Sequence, residues 1–196
     1  AIYVLYSSYK YNERDKMIFQ NIELLETDKF QYLLIHKNGS SSVSKCMESL
    51  NFNLTNRIDL GKIRWTVIRD PYERFISGLK YDLNRHNLNI EDIDHSELYN
   101  SSTNVFARQV KHINHTASQI PHLINTHINW YVELKDLNTF LKMHFNKIEC
   151  CNSNKEDIKI TLDKKEIMKH LDLDYYIYNK ILNSSYLWKW QFGKIF

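Results

Sequence analysis

The chain has 196 residues, 43% hydrophobic and 13% aromatic, enough apolar side chain for a packed core, which excludes a disordered polypeptide. A net charge of +3 is too small for a general nucleic-acid binder, so any anion site must be local. No apolar run approaches the ~20 residues of a membrane span, no signal peptide is visible, and a single domain over 1–196 is expected.

Residues 1–10 are apolar and β-prone, the pattern of an edge strand or a packed arm, and 11–21 are polar. Residues 22–27 read as a strand closed by a turn at Asp28 and Lys29. Residues 32–35 form a short continuous apolar run, as in a strand buried on both faces. A polar loop follows, and then Val43, Cys46, Met47 and Leu50 fall at i, i+3, i+4 and i+7, one face of a helix. A second strand is expected at 64–68. It runs into a helix whose start is legible: Asp70 as N-cap, Pro71 at the first helical position and Glu73 completing a capping box. Tyr72, Phe75, Ile76 and Leu79 give that helix its buried face, with Ser77 opposite part of it.

Residues 84–102 are polar and turn-rich, as in a mobile surface segment. A helix is expected over 103–113, then a His- and Asn-rich connection over 114–127, a third strand over 128–134 and a helix from Asp136 to His144. A short strand near 147–150, helices over 164–170 and 175–182, and a packed aromatic tail from Tyr186 complete the reading. Trp65, Trp130, Trp188 and Trp190 are expected to pack rather than stack on a ligand. Alternating strands and helices point to an α/β fold with a parallel sheet.

Cys46, Cys150 and Cys151 make an odd total with one adjacent pair, a poor disulfide framework, and CxxC zinc spacing is absent. Sequons begin at Asn38, Asn53, Asn100, Asn114 and Asn183, yet a glycan on Asn38 would block the loop it sits in. The cysteine pattern and that conflict favour a cytoplasmic protein.

Two stretches carry chemistry. In Lys37-Asn38-Gly39-Ser40-Ser41-Ser42, a strand-to-helix turn aims backbone N–H groups and a helix N-terminus at one spot, a setting for an anion. Gly39 permits positive φ, the serines add hydroxyl donors and Lys37 adds a point charge. A serine-rich turn that merely caps a helix has the same composition. The loop lacks both GxxxxGK[ST] and GxGxxG, so it is not an ATPase-type P-loop. In the second stretch, Arg69 to Ser77, helix capping accounts for Asp70, Pro71 and Glu73 but leaves Arg69 and Ser77 unexplained. Arg69 stands at the carboxyl end of a strand, where α/β proteins place ligands, and an arginine and a hydroxyl suit one phosphate.

Together the two stretches resemble the PAPS-dependent sulfotransferases, closest to the carbohydrate-type branch (PAPS is 3′-phosphoadenosine 5′-phosphosulfate; PAP is the product left after transfer). The resemblance rests on His36-Lys37-Asn38-Gly39-Ser40-Ser41-Ser42, matching a Lys-x-Gly-Ser/Thr-Ser/Thr loop, and on Arg69-Asp70-Pro71-Tyr72-Glu73-Arg74-Phe75-Ile76-Ser77, matching RDPxxRxxS, with Tyr81 following. It covers residues 31–82. It implies a P-loop-like central parallel sheet flanked by helices. It also implies that Lys37 through Ser42 hold the 5′-phosphosulfate, with Lys37 stabilising the leaving phosphate, and that Arg69 and Ser77 hold the 3′-phosphate. No metal is implied. The expected partner is a small-molecule or glycan acceptor, with no nucleic acid and no membrane span. The base for the acceptor hydroxyl is open among His112, His115, His122 and Glu48, with His115 ranked first because a polar loop after the nucleotide half can face the acceptor. His36 is read as ending its strand and shaping the loop. A nucleotide kinase-like phosphotransferase and a non-catalytic PAP-binding module are the alternatives.

Overall fold

The computed structural model describes residues 22–93, 115–116, 118–124, 126–146, 160 and 162–189. The expected arm at 1–10, the helix over 103–113, the strand near 147–150 and Trp190 lie outside these residues. Among the described residues five strands form one sheet: β1 (Leu24–Glu26), β2 (Phe30–Leu33), β3 (Asn53–Thr55), β4 (Ile63–Ile68) and β5 (Trp130–Glu133), in the order β3-β1-β2-β4-β5. The helices are α1 (Ser40–Met47), α2 (Pro71–His86), α3 (Ile120–Ile124), α4 (Leu137–Phe145), α5 (Lys164–His170) and α6 (Asp172–Leu182).

The sheet is mixed, which corrects the expectation of a parallel one. β2, β4 and β5 are mutually parallel, but β1 runs antiparallel to both β2 and β3. The cause is local: the Asp28–Lys29 turn joins β1 to β2 as a hairpin, and a tight turn permits only antiparallel neighbours. The α/β architecture itself holds.

Period-2 alternation sends neighbouring residues to opposite faces. Leu25, Tyr32, Val67 and Val132 pack with α1 and α4, whereas Leu24, Leu33, Ile68 and Tyr131 pack with α3 and α6. Trp65 is fully buried at the centre of the first face, its ring 4.5 Å from Tyr32 and 4.6 Å from Phe140. A third cluster joins Phe75, Leu79 and Leu83 of α2 to Ile167 and Leu171. Trp130 is half-buried against the first cluster and Trp188 is buried within it, so both pack as expected. The tail extends the sheet edge: Tyr131 N–H donates to Tyr186 O at 2.9 Å, and Trp188 N–H donates to Tyr131 O at 2.8 Å.

Other expectations need correction. α2 continues to His86 and is closed by Asn87 in the left-handed region, and Ile90 and Ile93 beyond it are buried, so the polar surface segment does not begin at 84. The connection around Pro121 holds the short helix α3. Cys46 is disulfide-bonded, although the cysteines read from sequence as a poor disulfide framework. No helix among the described residues is long and apolar enough to cross a membrane.

Candidate functional site

Parallel β2, β4 and β5 end on one side of the sheet, and the segments that follow them wall a cavity of about 620 Å³. After β2 come His36, Lys37 and Gly39 to Ser42; after β4 comes Arg69; after β5 come Leu134, Leu137 and Asn138. The opening at the carboxyl ends of parallel strands is where this architecture presents backbone donors and side chains to a ligand.

The loop after β2 is built for close approach. Lys37 has φ 65° and Gly39 has φ 81°, so the chain takes two left-handed residues before α1 begins. A Cβ on Gly39 would lie 2.8 Å from Leu134 Cδ1 and 3.2 Å from Leu137 Cδ2, leucine ends that can give way, so it is the φ of 81° that favours glycine here. The N-terminus of α1 carries no side-chain cap and no acidic residue in its first turn. Its first intrahelical bond runs from Val43 N–H to Gly39 O at 3.0 Å, and a helix N-terminus of this kind favours an anion. Ser40, Ser41 and Ser42 all line the cavity beside them. Asn38 is the exception. Its side chain is fully buried, and Nδ2 donates to Val67 O at 2.9 Å and to Gln119 Oε1 at 2.8 Å. It braces the loop from beneath, and in the folded chain it has no room for a glycan.

At the end of β4, Asp70 caps α2 by accepting from Glu73 N–H at 3.0 Å, and Tyr175 O–H lies 3.1 Å from both its oxygens. The reciprocal half of the expected capping box is not made: the Glu73 carboxylate turns to Arg69 Nε at 3.6 Å. Arg69 Nη1 also donates to Lys37 O at 3.3 Å, which ties the second stretch to the first. Arg69 and Ser77 both reach the cavity wall.

Beyond Ser77, α2 presents Lys80, Tyr81 and Arg85 to the same space. These positions continue the i, i+3, i+4, i+8 face of Ser77, a spacing that was available in the sequence and was not read there. Lys37 Nζ sits 3.8 Å above the Tyr81 ring centroid, and Arg85 Cζ lies 6.0 Å from it. Lys37, Arg69, Lys80 and Arg85 thus face a cavity that has no carboxylate among its described lining residues. Among the described residues no cluster of His, Cys, Asp or Glu could hold a metal ion.

Of the four candidate bases, His115 lines the cavity. His112 lies outside the described residues, and Glu48 is exposed past the end of α1 and absent from the lining. His122 is likewise absent, and burial, with the positive charges of Arg74 and His36, pushes it down to about 4. His115 Nδ1 lies 2.5 Å from Asp82 Oδ1, its backbone N–H donates to Asp82 Oδ2 at 2.8 Å, and Tyr81 packs edge-on against its ring at 4.7 Å. His36, passed over as a loop-shaping residue, also lines the cavity, 5.4 Å from the His115 ring. Partial burial lowers its pKa, and the neighbouring His115 and Lys37 lower it further against the opposing pull of Glu23.

No family model, curated protein or solved structure matches this chain.

Proposed function

We propose that the chain is a sulfotransferase that moves a sulfuryl group from PAPS to an acceptor hydroxyl, with a carbohydrate as the expected acceptor. One observation carries the reading. Two separate anion grips, the Lys37–Ser42 loop and the Arg69/Ser77 pair, share a cavity with His36 and His115, and no carboxylate is among the described lining residues. A nucleotide phosphorylated at both the 5′ and 3′ positions needs two such grips, and a volume of about 620 Å³ suits a ligand of that size. A kinase-like reading is weaker, because it calls for a magnesium-binding carboxylate at the phosphates and the described lining residues supply none.

PAPS, when bound, supplies an activated S–O bond. The chain's residues then have three tasks. The uncapped α1 N-terminus, the serine hydroxyls and Lys37 receive negative charge on the departing phosphate oxygen. Arg69 and Ser77 fix the far phosphate, so binding energy remote from the reacting atoms orients them. His115 takes the acceptor O–H proton as the acceptor oxygen bonds to sulfur, and the electron pair of the broken S–O bond stays on the phosphate. The Cys46 disulfide and the exposed sequon residues Asn53 and Asn183 support an oxidising, glycosylating compartment over the cytosol expected from the cysteine pattern. Transfer of labelled sulfate from PAPS to a glycan panel, abolished in Lys37→Ala, tests the proposal; no transfer to any acceptor despite tight PAP binding would leave a nucleotide-binding module instead.

A further inference from the structure

We propose that Asp82 is the positioning residue for His115, which it holds as the Nδ1–H tautomer with Nε2 left for the acceptor proton. The inference rests on the reading of His115 as the base and adds the device that orients it. Asp82 is fully buried, and each of its carboxylate oxygens contacts His115: Oδ2 accepts from the backbone N–H at 2.8 Å and Oδ1 meets Nδ1 at 2.5 Å. A carboxylate accepts and does not donate, so the ring nitrogen facing it carries the proton. The other ring nitrogen is then the basic one, on a side chain that lines the cavity.

The mount extends along one stripe of α2. Arg74, Gly78 and Asp82 stand at i, i+4 and i+8 and all meet the 115–116 segment. Arg74 Nη2 donates to Thr116 O at 3.0 Å. At Gly78 the segment crosses so closely that a Cβ would lie 2.2 Å from His115 O and 3.0 Å from Thr116 N. Helix α2 thus serves two faces: Ser77, Lys80, Tyr81 and Arg85 turn to the cavity, while the 74/78/82 stripe clamps the backbone that carries the base. Two backbone contacts and a bidentate carboxylate exceed what packing a surface turn requires. They fix both the position of His115 and the identity of its free nitrogen.

The test reads the tautomer in the free wild-type protein by long-range ¹H–¹⁵N correlation of the imidazole, with His115 assigned by loss of its signals in His115→Gln. The expected result is a protonated Nδ1 and an unprotonated Nε2 at mildly alkaline pH; a neutral ring protonated at Nε2 would overturn the proposal. In Asp82→Asn the Nδ1–H preference should weaken. Sulfate transfer should lose on the order of tenfold or more in kcat, while PAP affinity and acceptor KM stay within about twofold. An Asp82→Asn enzyme with wild-type kcat would equally overturn it. Failure of the wild type to bind PAP would instead remove the nucleotide reading, and the tautomer measured without ligand would still decide whether Asp82 orients this histidine.

Discussion

The amide of Gln119 links the Lys37–Ser42 loop to Arg69: its Oε1 accepts from Asn38 Nδ2 at 2.8 Å, and its Nε2 donates to Arg69 O at 3.4 Å. Neither Asn38 nor Gln119 lines the cavity, and both are buried. Asn38→Ala and Gln119→Ala each leave buried partners unsatisfied, so each should cost about 1–3 kcal/mol of stability by denaturant titration. Their effects should be non-additive in a double-mutant cycle, and both should weaken PAP binding without removing a ligand contact. Additive losses with unchanged PAP affinity would show that the bridge is ordinary packing.

Gly39→Ala places a Cβ at a φ of 81° and 2.8 Å from Leu134 Cδ1. Strain of this kind costs about 1–3 kcal/mol. The expected outcome is a lower melting temperature together with a loss of PAP-induced stabilisation, both read in one thermal-shift titration. Wild-type stabilisation by PAP in this variant would mean that the loop geometry does not matter to binding.

The Cys46 disulfide predicts that a peptide digest under non-reducing conditions shows the Cys46 peptide cross-linked to a second peptide and released by reduction. Cys46→Ser should destabilise the protein by about 2–4 kcal/mol, a fall of roughly 5–15 °C in melting temperature for a chain of this length. Three free thiols in the native protein would contradict it.

His122 predicts a pH dependence of stability. Its folded pKa is depressed to about 4 by burial and by Arg74 and His36, against an unfolded value of 6.5. Between those values the unfolded chain binds the extra proton, so its contribution is complete above pH 6.5 and is lost as pH falls toward 4. The loss amounts to at most about 3 kcal/mol, trimmed by the solvent access of a partly buried ring. Denaturant titrations of wild type and His122→Asn over this range should differ in slope, with the variant flatter. Parallel slopes would sink the assignment.

The parts legible in the sequence were those set by local chemistry. Asp70 and Pro71 fix the start of α2 by capping and by proline's φ, and the apolar runs of β2, β4 and β5 announce buried strands. Lys37, Gly39 and Arg69 were readable because each lies at a strand end, and Ser77 because the helix that starts just after Arg69 carries it two turns on, so their convergence follows from the parallel strands. What stayed hidden depends on distance or exposure. β3 is an exposed edge strand, with Leu54 66% accessible, so no burial pattern marks it. Strand direction for β1 depends on hairpin closure, which hydrophobic periodicity does not encode. Asp82 is informative only beside His115, 33 residues away, and Gln119 only between Asn38 and Arg69. Lys80, Tyr81 and Arg85 were readable from Ser77 by helical spacing, and a stripe of cations opposite a buried face was the signal to follow.

The most direct measurement is calorimetric titration of the wild-type chain with PAP, adenosine 5′-phosphate and adenosine 3′-phosphate, repeated in Lys37→Ala and Arg69→Ala. Two grips on one nucleotide predict that PAP binds more tightly than either monophosphate. Each substitution should remove about 1.5–3 kcal/mol, roughly 10- to 100-fold, from PAP binding. Arg69→Ala should barely affect the 5′-phosphate ligand, and Lys37→Ala should barely affect the 3′-phosphate ligand. No heat from PAP at millimolar concentration, or equal affinity for all three nucleotides, would contradict the site as described.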